Sequence, residues 1–230
     1  MRKVFQAELK QVGQELVDIT TLVHKALSEA RRAFLEADLE TAQEVIVGDA
    51  RIDFMQNELD ERSIDILALQ APVASDLRMI VGALRMSSSL ERMGDLARHL
   101  AQDARRRYPE PVLPPQLEET FRRMFDLDLE IIQGVINILE TRDMSIADHI
   151  YAQKAEVNML HQEVFNALGS DSWDSPVSTA VDVTLSARYL ERIGDHGVSV
   201  ARKVAYLVTG EWTPSATMER PTGHGHISSP

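Results

Sequence analysis

The feature that most restricts this chain is a hexapeptide that occurs twice, Leu90-Glu91-Arg92-Met93-Gly94-Asp95 and Leu190-Glu191-Arg192-Ile193-Gly194-Asp195. Five of its six positions are identical, and the copies lie 100 residues apart. Fainter echoes pair Leu35-Glu36-Ala37-Asp38-Leu39 with Leu139-Glu140-Thr141-Arg142-Asp143-Met144, and Ile52-Asp53-Phe54-Met55 with Val157-Asn158-Met159-Leu160. A fixed offset shared by several segments is the mark of a duplicated structural unit.

Helical spacing of apolar residues fills each copy. Ile131, Ile132, Val135, Ile136 and Leu139 follow it, as do Ile52, Met55, Leu59, Ser63, Ile66 and Leu67, while the strict alternation of a strand is absent. Gly and Pro punctuate the pattern at Pro72, at the run 109–115, at Pro176 and from Pro214 onward. The spacing predicts six helices, at 3–36, 39–70, 73–107, 115–141, 144–168 and 176–209. The fold class expected is all-α, two tandem three-helix bundles related by internal pseudo-symmetry. Their bounds are 1–108 and 115–209, joined by the Pro-rich run. Pro72 and Pro176 suit the first turn of a helix, where the missing N–H costs nothing. Arg105, Arg106 and Arg107 fall where cations complement a helix C-terminus, which is enough to account for them. The segment 210–230, rich in Pro, Ser, Thr and Gly, is expected to be disordered, and its His224 and His226 are poor candidates for a metal.

An apolar content of 44% over 230 residues supplies a sizeable core. A net charge of −12 argues against general attraction to nucleic acid or anionic lipid, so a polyanion would need a local basic patch. The basic start, Met1-Arg2-Lys3, runs into Gln6 and Glu8 before any apolar stretch of signal-peptide length. No run reaches the ~18 apolar residues of a spanning helix. The absence of cysteine excludes disulfides, thiolate metal sites and Cys nucleophiles.

The repeated motif carries chemistry. On a helix, residues four apart stand one above the other, so Glu91 with Asp95, and Glu191 with Asp195, present paired carboxylates. Like charges so placed repel and ask for a cation. A second pair, Asp49 and Asp53, falls on the preceding helix at the same spacing and would complete a four-carboxylate cluster. Oxygen ligation of this kind suits Mg²⁺, Mn²⁺ or iron, with zinc less suited. In the second half the matching positions are Lys154 and Asn158, so an ammonium stands where the metal would be drawn. The competing reading is that the acids form ion pairs with Arg92, Arg98, Arg192 and Lys154, and spacing alone leaves both open. His99 and His196 adjoin the motifs and are weak ligand candidates. Gly94 and Gly194 cost about 1 kcal/mol each inside a helix relative to Ala, which calls for close approach of another helix or a ligand.

Together with Leu69-Gln70-Ala71-Pro72-Val73-Ala74-Ser75-Asp76-Leu77-Arg78, the two Leu-Glu-Arg-x-Gly-Asp motifs resemble the PhoU family of phosphate-transport regulators, over about residues 3–210. The resemblance implies a non-enzymatic, cytoplasmic, homodimeric regulator. It would lie beneath the membrane through protein contacts, without inserting into it and without binding nucleic acid. Its implied partners are the phosphate ABC transporter ATPase and a phosphate-sensing histidine kinase, which it restrains when phosphate is plentiful. Carried onto this sequence, Asp49, Asp53, Glu91 and Asp95 match the first-half metal motifs, and Glu191 and Asp195 match one in the second half. Lys154 and Asn158 depart from the pattern. Two other classes compete: a carboxylate-bridged metal enzyme, which lacks the Glu-x-x-His pairs such bundles use, and a plain helical scaffold.

Overall fold

The computed structural model describes residues 2–211; the expected tail, with His224 and His226, lies outside them except for its first two residues. Six helices make up the chain: α1 (Arg2–Glu36), α2 (Leu39–Gln70), α3 (Ser75–Arg107), α4 (Glu118–Thr141), α5 (Ser145–Leu168) and α6 (Val177–Thr209). A 3-10 turn, Pro115–Leu117, leads into α4, and there is no strand among the described residues. The all-α expectation therefore holds, with helix ends close to those read from the sequence.

Local chemistry sets these ends. Asp38 caps α2, its carboxylate accepting from the Thr41 N–H at 3.0 Å, while Arg142 in the left-handed region closes α4. Pro176 stands immediately before α6 and its carbonyl accepts from Thr179 and Ala180. Pro72 differs from expectation. It does not enter the first turn of α3, because the chain makes a tight corner with Ala71 at φ 44° and Ala74 at φ 49° and only then becomes helical at Ser75. Likewise Pro115 opens the 3-10 turn rather than α4 itself.

Each half is a three-helix unit, α1–α2–α3 and α4–α5–α6, and the two pack on one another through α1 against α4 and α3 against α6. α2 and α5 flank this centre. One continuous apolar cluster runs through both units, from Val12 and Leu16 on α1 to Val200 and Ala201 on α6. Where α1 meets α4, Phe34 stacks on Phe121 with centroids 5.9 Å apart and tilts against Phe125 at 5.5 Å.

The α3–α6 seam carries a polar cluster that the sequence reading assigned otherwise. Asp103 and Asp182, both buried, are neutralised by the arginine run: Arg106 Nη2 lies 2.8 Å from Asp103 and 2.6 Å from Asp182, and Arg107 reaches Asp182 at 2.5 Å. Ser186 donates to Asp103 at 3.0 Å. These arginines do more than complement a helix end. They tie the C-terminus of one repeat to the first turns of the last helix, a contact between residues 75 apart for Arg107 and Asp182.

Candidate functional site

Close helix contact creates both carboxylate sites, and the two motif glycines permit it. A Cβ on Gly94 would stand 2.9 Å from Ile52 Cδ1 and 3.4 Å from Asp49 Oδ1; one on Gly194 would stand 2.8 Å from Lys154 Cδ and 3.2 Å from Asp128 Oδ1. The helix-breaking cost of glycine is thus offset by seating α2 against α3 and α5 against α6, which brings the motif acids beside the neighbouring helix.

In the first half, Asp49 is buried on α2 and faces Arg98 of α3. The Arg98 guanidinium donates from Nε to Asp49 and from Nη2 to Asp95 Oδ1 at 2.5 Å, bridging the two helices. Arg92 lies 3.1 Å from Asp95 and 3.5 Å from Glu91. Asp53 is exposed yet contributes to the local negative field felt by Asp49 and Glu91. Burial pushes the Asp49 carboxyl up from its ordinary value, against the lowering pull of Arg98. Glu91 is pushed up by burial and then by repulsion from Asp95. Of the four predicted carboxylates, Asp49 and Asp95 share one cation, the Arg98 guanidinium, while Glu91 pairs with Arg92 and Asp53 stands exposed.

In the second half, Lys154 of α5 is buried and its ammonium donates to the Glu191 carbonyl at 2.7 Å. It also lies 3.1 Å from Glu191 Oε1 and 3.1 Å from Asp195 Oδ1. Arg188 also pairs with Glu191, at 2.5 Å. Arg192, weighed as an ion-pair partner from the sequence, makes none among the described residues. Beneath Lys154 sits Asp128 of α4, fully buried, with neither oxygen hydrogen-bonded. Burial raises its carboxyl well above the usual range, only partly countered by Lys154. The sequence reading missed Asp128. The signal was available: Phe121, Met124, Phe125, Ile131, Ile132 and Val135 form the buried stripe of α4, and Asp128 falls in register with them.

His99 turns to aromatic packing, its ring 5.2 Å from Tyr189, and burial lowers its basicity, as it does for His196. For a metal, the two sites differ. The first holds acceptors suited to a hard ion, but Arg98 already stands between Asp49 and Asp95; the second has an ammonium anchored among its acids. Among the described residues, no three His, Asp or Glu side chains stand in an arrangement that holds an ion.

Comparison with known proteins places this geometry in context. The family model described as PhoU domain matches residues 16–104 and 121–204, one match in each repeat. A Mycobacterium leprae protein named phosphate-specific transport system accessory protein PhoU homolog 1 is 36% identical over 218 residues, covering 95% of this chain and 98% of that protein. Homolog 2 of Mycobacterium tuberculosis is 36% identical, covering 91% of this chain and 99% of its own length. Among solved structures, PhoU from Pseudomonas aeruginosa superposes with a TM-score of 0.81 at 30% identity, covering 90% of this chain and all of that one.

Proposed function

This chain belongs to the PhoU family, and from that premise we propose that it regulates phosphate uptake and phosphate-starvation signalling by binding, without catalysis. The observation that carries the reading is similarity along nearly the whole chain to proteins named as accessory to phosphate-specific transport. The partners proposed are the ATPase of the phosphate transporter and a phosphate-sensing histidine kinase. No helix among the described residues is long and apolar enough to cross a membrane. Contact with the transporter at the cytoplasmic face is therefore assigned to protein surfaces, and the protein is proposed to act as a homodimer. Co-purification with the transporter ATPase and the kinase at high and low phosphate tests this directly. Retention of either partner only at high phosphate is expected, and retention of neither at any phosphate level overturns it.

Metal enters the proposal chiefly in the first half. A hard ion such as Mg²⁺, Mn²⁺ or iron, with zinc less suited, would be held by Asp49, Asp53, Glu91 and Asp95, and would supply the positive charge that Arg98 now provides. Binding requires Arg98 to release a carboxylate. Because burial and mutual repulsion raise Asp49 and Glu91, protons compete with the ion, and affinity falls as pH drops. At Glu191 and Asp195 an ion has to displace an ammonium with three acceptors, so binding there is weaker. Asp95→Ala is expected to remove most of the metal found after purification without chelators, and Asp195→Ala to remove less. The reverse order overturns the assignment, and metal-free wild type favours ion pairing at both sites.

A further inference from the structure

α3 and α6 run antiparallel along the seam between the halves: Gly82 near the start of α3 lies against Leu207 near the end of α6, while Arg107 at the end of α3 meets Asp182 near the start of α6. The 100-residue offset of the repeated hexapeptide makes the two ends of this seam counterparts. Gly82, Arg85, Lys203 and Tyr206 at one end correspond to Asp182, Leu185, Asp103 and Arg106 at the other. The second end is self-neutralised, two buried aspartates being matched by Arg106 and Arg107. The first end is not.

At the first end lies a cavity of about 310 Å³. Arg78 and Arg85, two turns apart on α3, share it with Lys203 of α6, and among the described residues no Asp or Glu lines it. In a chain with 36 acids and 24 lysines and arginines, that is a local inversion of the overall charge. Neither Arg78 nor Arg85 forms an ion pair among the described residues. Lys203 donates to Ser199, at 2.5 Å to the hydroxyl and 3.3 Å to the carbonyl, and its basicity is lowered by burial and then by Arg85. The remaining lining is mainly apolar, with Leu77, Val81 and the ring of Tyr206. Three cations that no described carboxylate matches ask for an anion. Guanidinium forks match phosphate oxygens, and an apolar lining leaves room for more than a bare ion. The volume is at the lower end of the range for small-molecule sites.

We propose that this cavity binds an organic phosphate, its charged end on Arg78, Arg85 and Lys203 and its apolar or ring portion against Leu77, Val81 and Tyr206. The inference rests on the charge and shape of the seam and stands apart from the regulatory reading above. Calorimetric titration of the full chain with phenyl phosphate tests it, alongside phenol, inorganic phosphate, and phosphatidylcholine vesicles with and without phosphatidylglycerol. Wild type is expected to bind phenyl phosphate saturably, inorganic phosphate more weakly and phenol not at all. The double variant Arg78→Gln/Arg85→Gln should bind phenyl phosphate at least about tenfold more weakly. Both side chains are exposed, so its melting temperature should match wild type. Arg105→Gln, on the exposed side of α3, should bind as wild type does. Absence of phenyl phosphate binding, or equal binding by the double variant, overturns the site. Inorganic phosphate binding as tightly as phenyl phosphate overturns the role of the apolar lining. Arginine-dependent binding of phosphatidylglycerol vesicles without binding of phenyl phosphate overturns the small-ligand assignment in favour of a lipid headgroup.

Discussion

In the first repeat, the cation among the motif acids comes from the helix that carries the motif, Arg98 on α3, and reaches across to Asp49 on α2. In the second it comes from the neighbouring helix, Lys154 on α5, which occupies the position matching Asp49 and reaches back to Glu191 and Asp195 on α6. Charge has been exchanged across the helix contact while the contact itself, glycine against neighbour, is kept. The consequence is depth. Arg98 is about a quarter exposed, with a side-chain relative accessibility of 25%, whereas Lys154 is at 9% and lies over the buried Asp128. A guanidinium near water is exchangeable, and an ammonium walled in by three acids and a backbone carbonyl is part of the fold.

The largest expected effect that separates the halves is loss of the cation. Lys154→Met strips the partner from a buried ion pair, a change that costs about 3–5 kcal/mol, and should lower the melting temperature by roughly 10 °C on the scale of a chain this size. Arg98→Met should cost about half as much, because Asp95 and Glu91 keep Arg92 and water. Thermal melts of the two variants compare them directly, and equal losses would erase the distinction in depth.

Next in size is the glycine contact. Gly94→Ala gains about 1 kcal/mol of helix propensity and meets two branches of the buried Ile52, Cδ1 at 2.9 Å and Cγ2 at 3.3 Å, whose repacking offsets that gain. Gly194→Ala meets the Lys154 stem, pinned by its ammonium, and Asp128 beside it, so overpacking of about 1–3 kcal/mol outweighs the propensity gain. Denaturant titration should show Gly94→Ala near wild type and Gly194→Ala below it; the opposite order would mean that Lys154 is not held as described.

The smallest effect is a pH dependence owed to Asp128. Its carboxyl is raised in the folded chain relative to an ordinary value of 3.8, so the native state binds more protons than the unfolded one above that value. Stability from this group is therefore highest at acid pH and falls as pH rises from about 4 towards the raised value. Asp128→Leu, close in shape and free of the unpaired oxygens, should gain about 1 kcal/mol at pH 8 and little or nothing at pH 4. A gain of the same size at both pH values, in paired urea titrations, would show that packing rather than charge governs the position.

The sequence by itself determined the elements and their kinship. Helical periodicity, the punctuating Gly and Pro and the Pro-rich joint are local, so the six helices and their ends were legible to within a few residues. The hexapeptide revealed the duplication, and the four-residue spacing placed Glu91 with Asp95 and Glu191 with Asp195 on shared faces. What a periodicity cannot carry is which face of another helix lies opposite. That Arg98 bridges Asp49, that Asp128 lies under Lys154, and that Arg106 and Arg107 meet Asp182 rather than solvent all depend on residues 26 to 76 positions apart. These pairings follow from how the repeats dock, α1 on α4 and antiparallel α3 on α6. That docking is set by burial of one shared core, and the charges take the partners it leaves beside them.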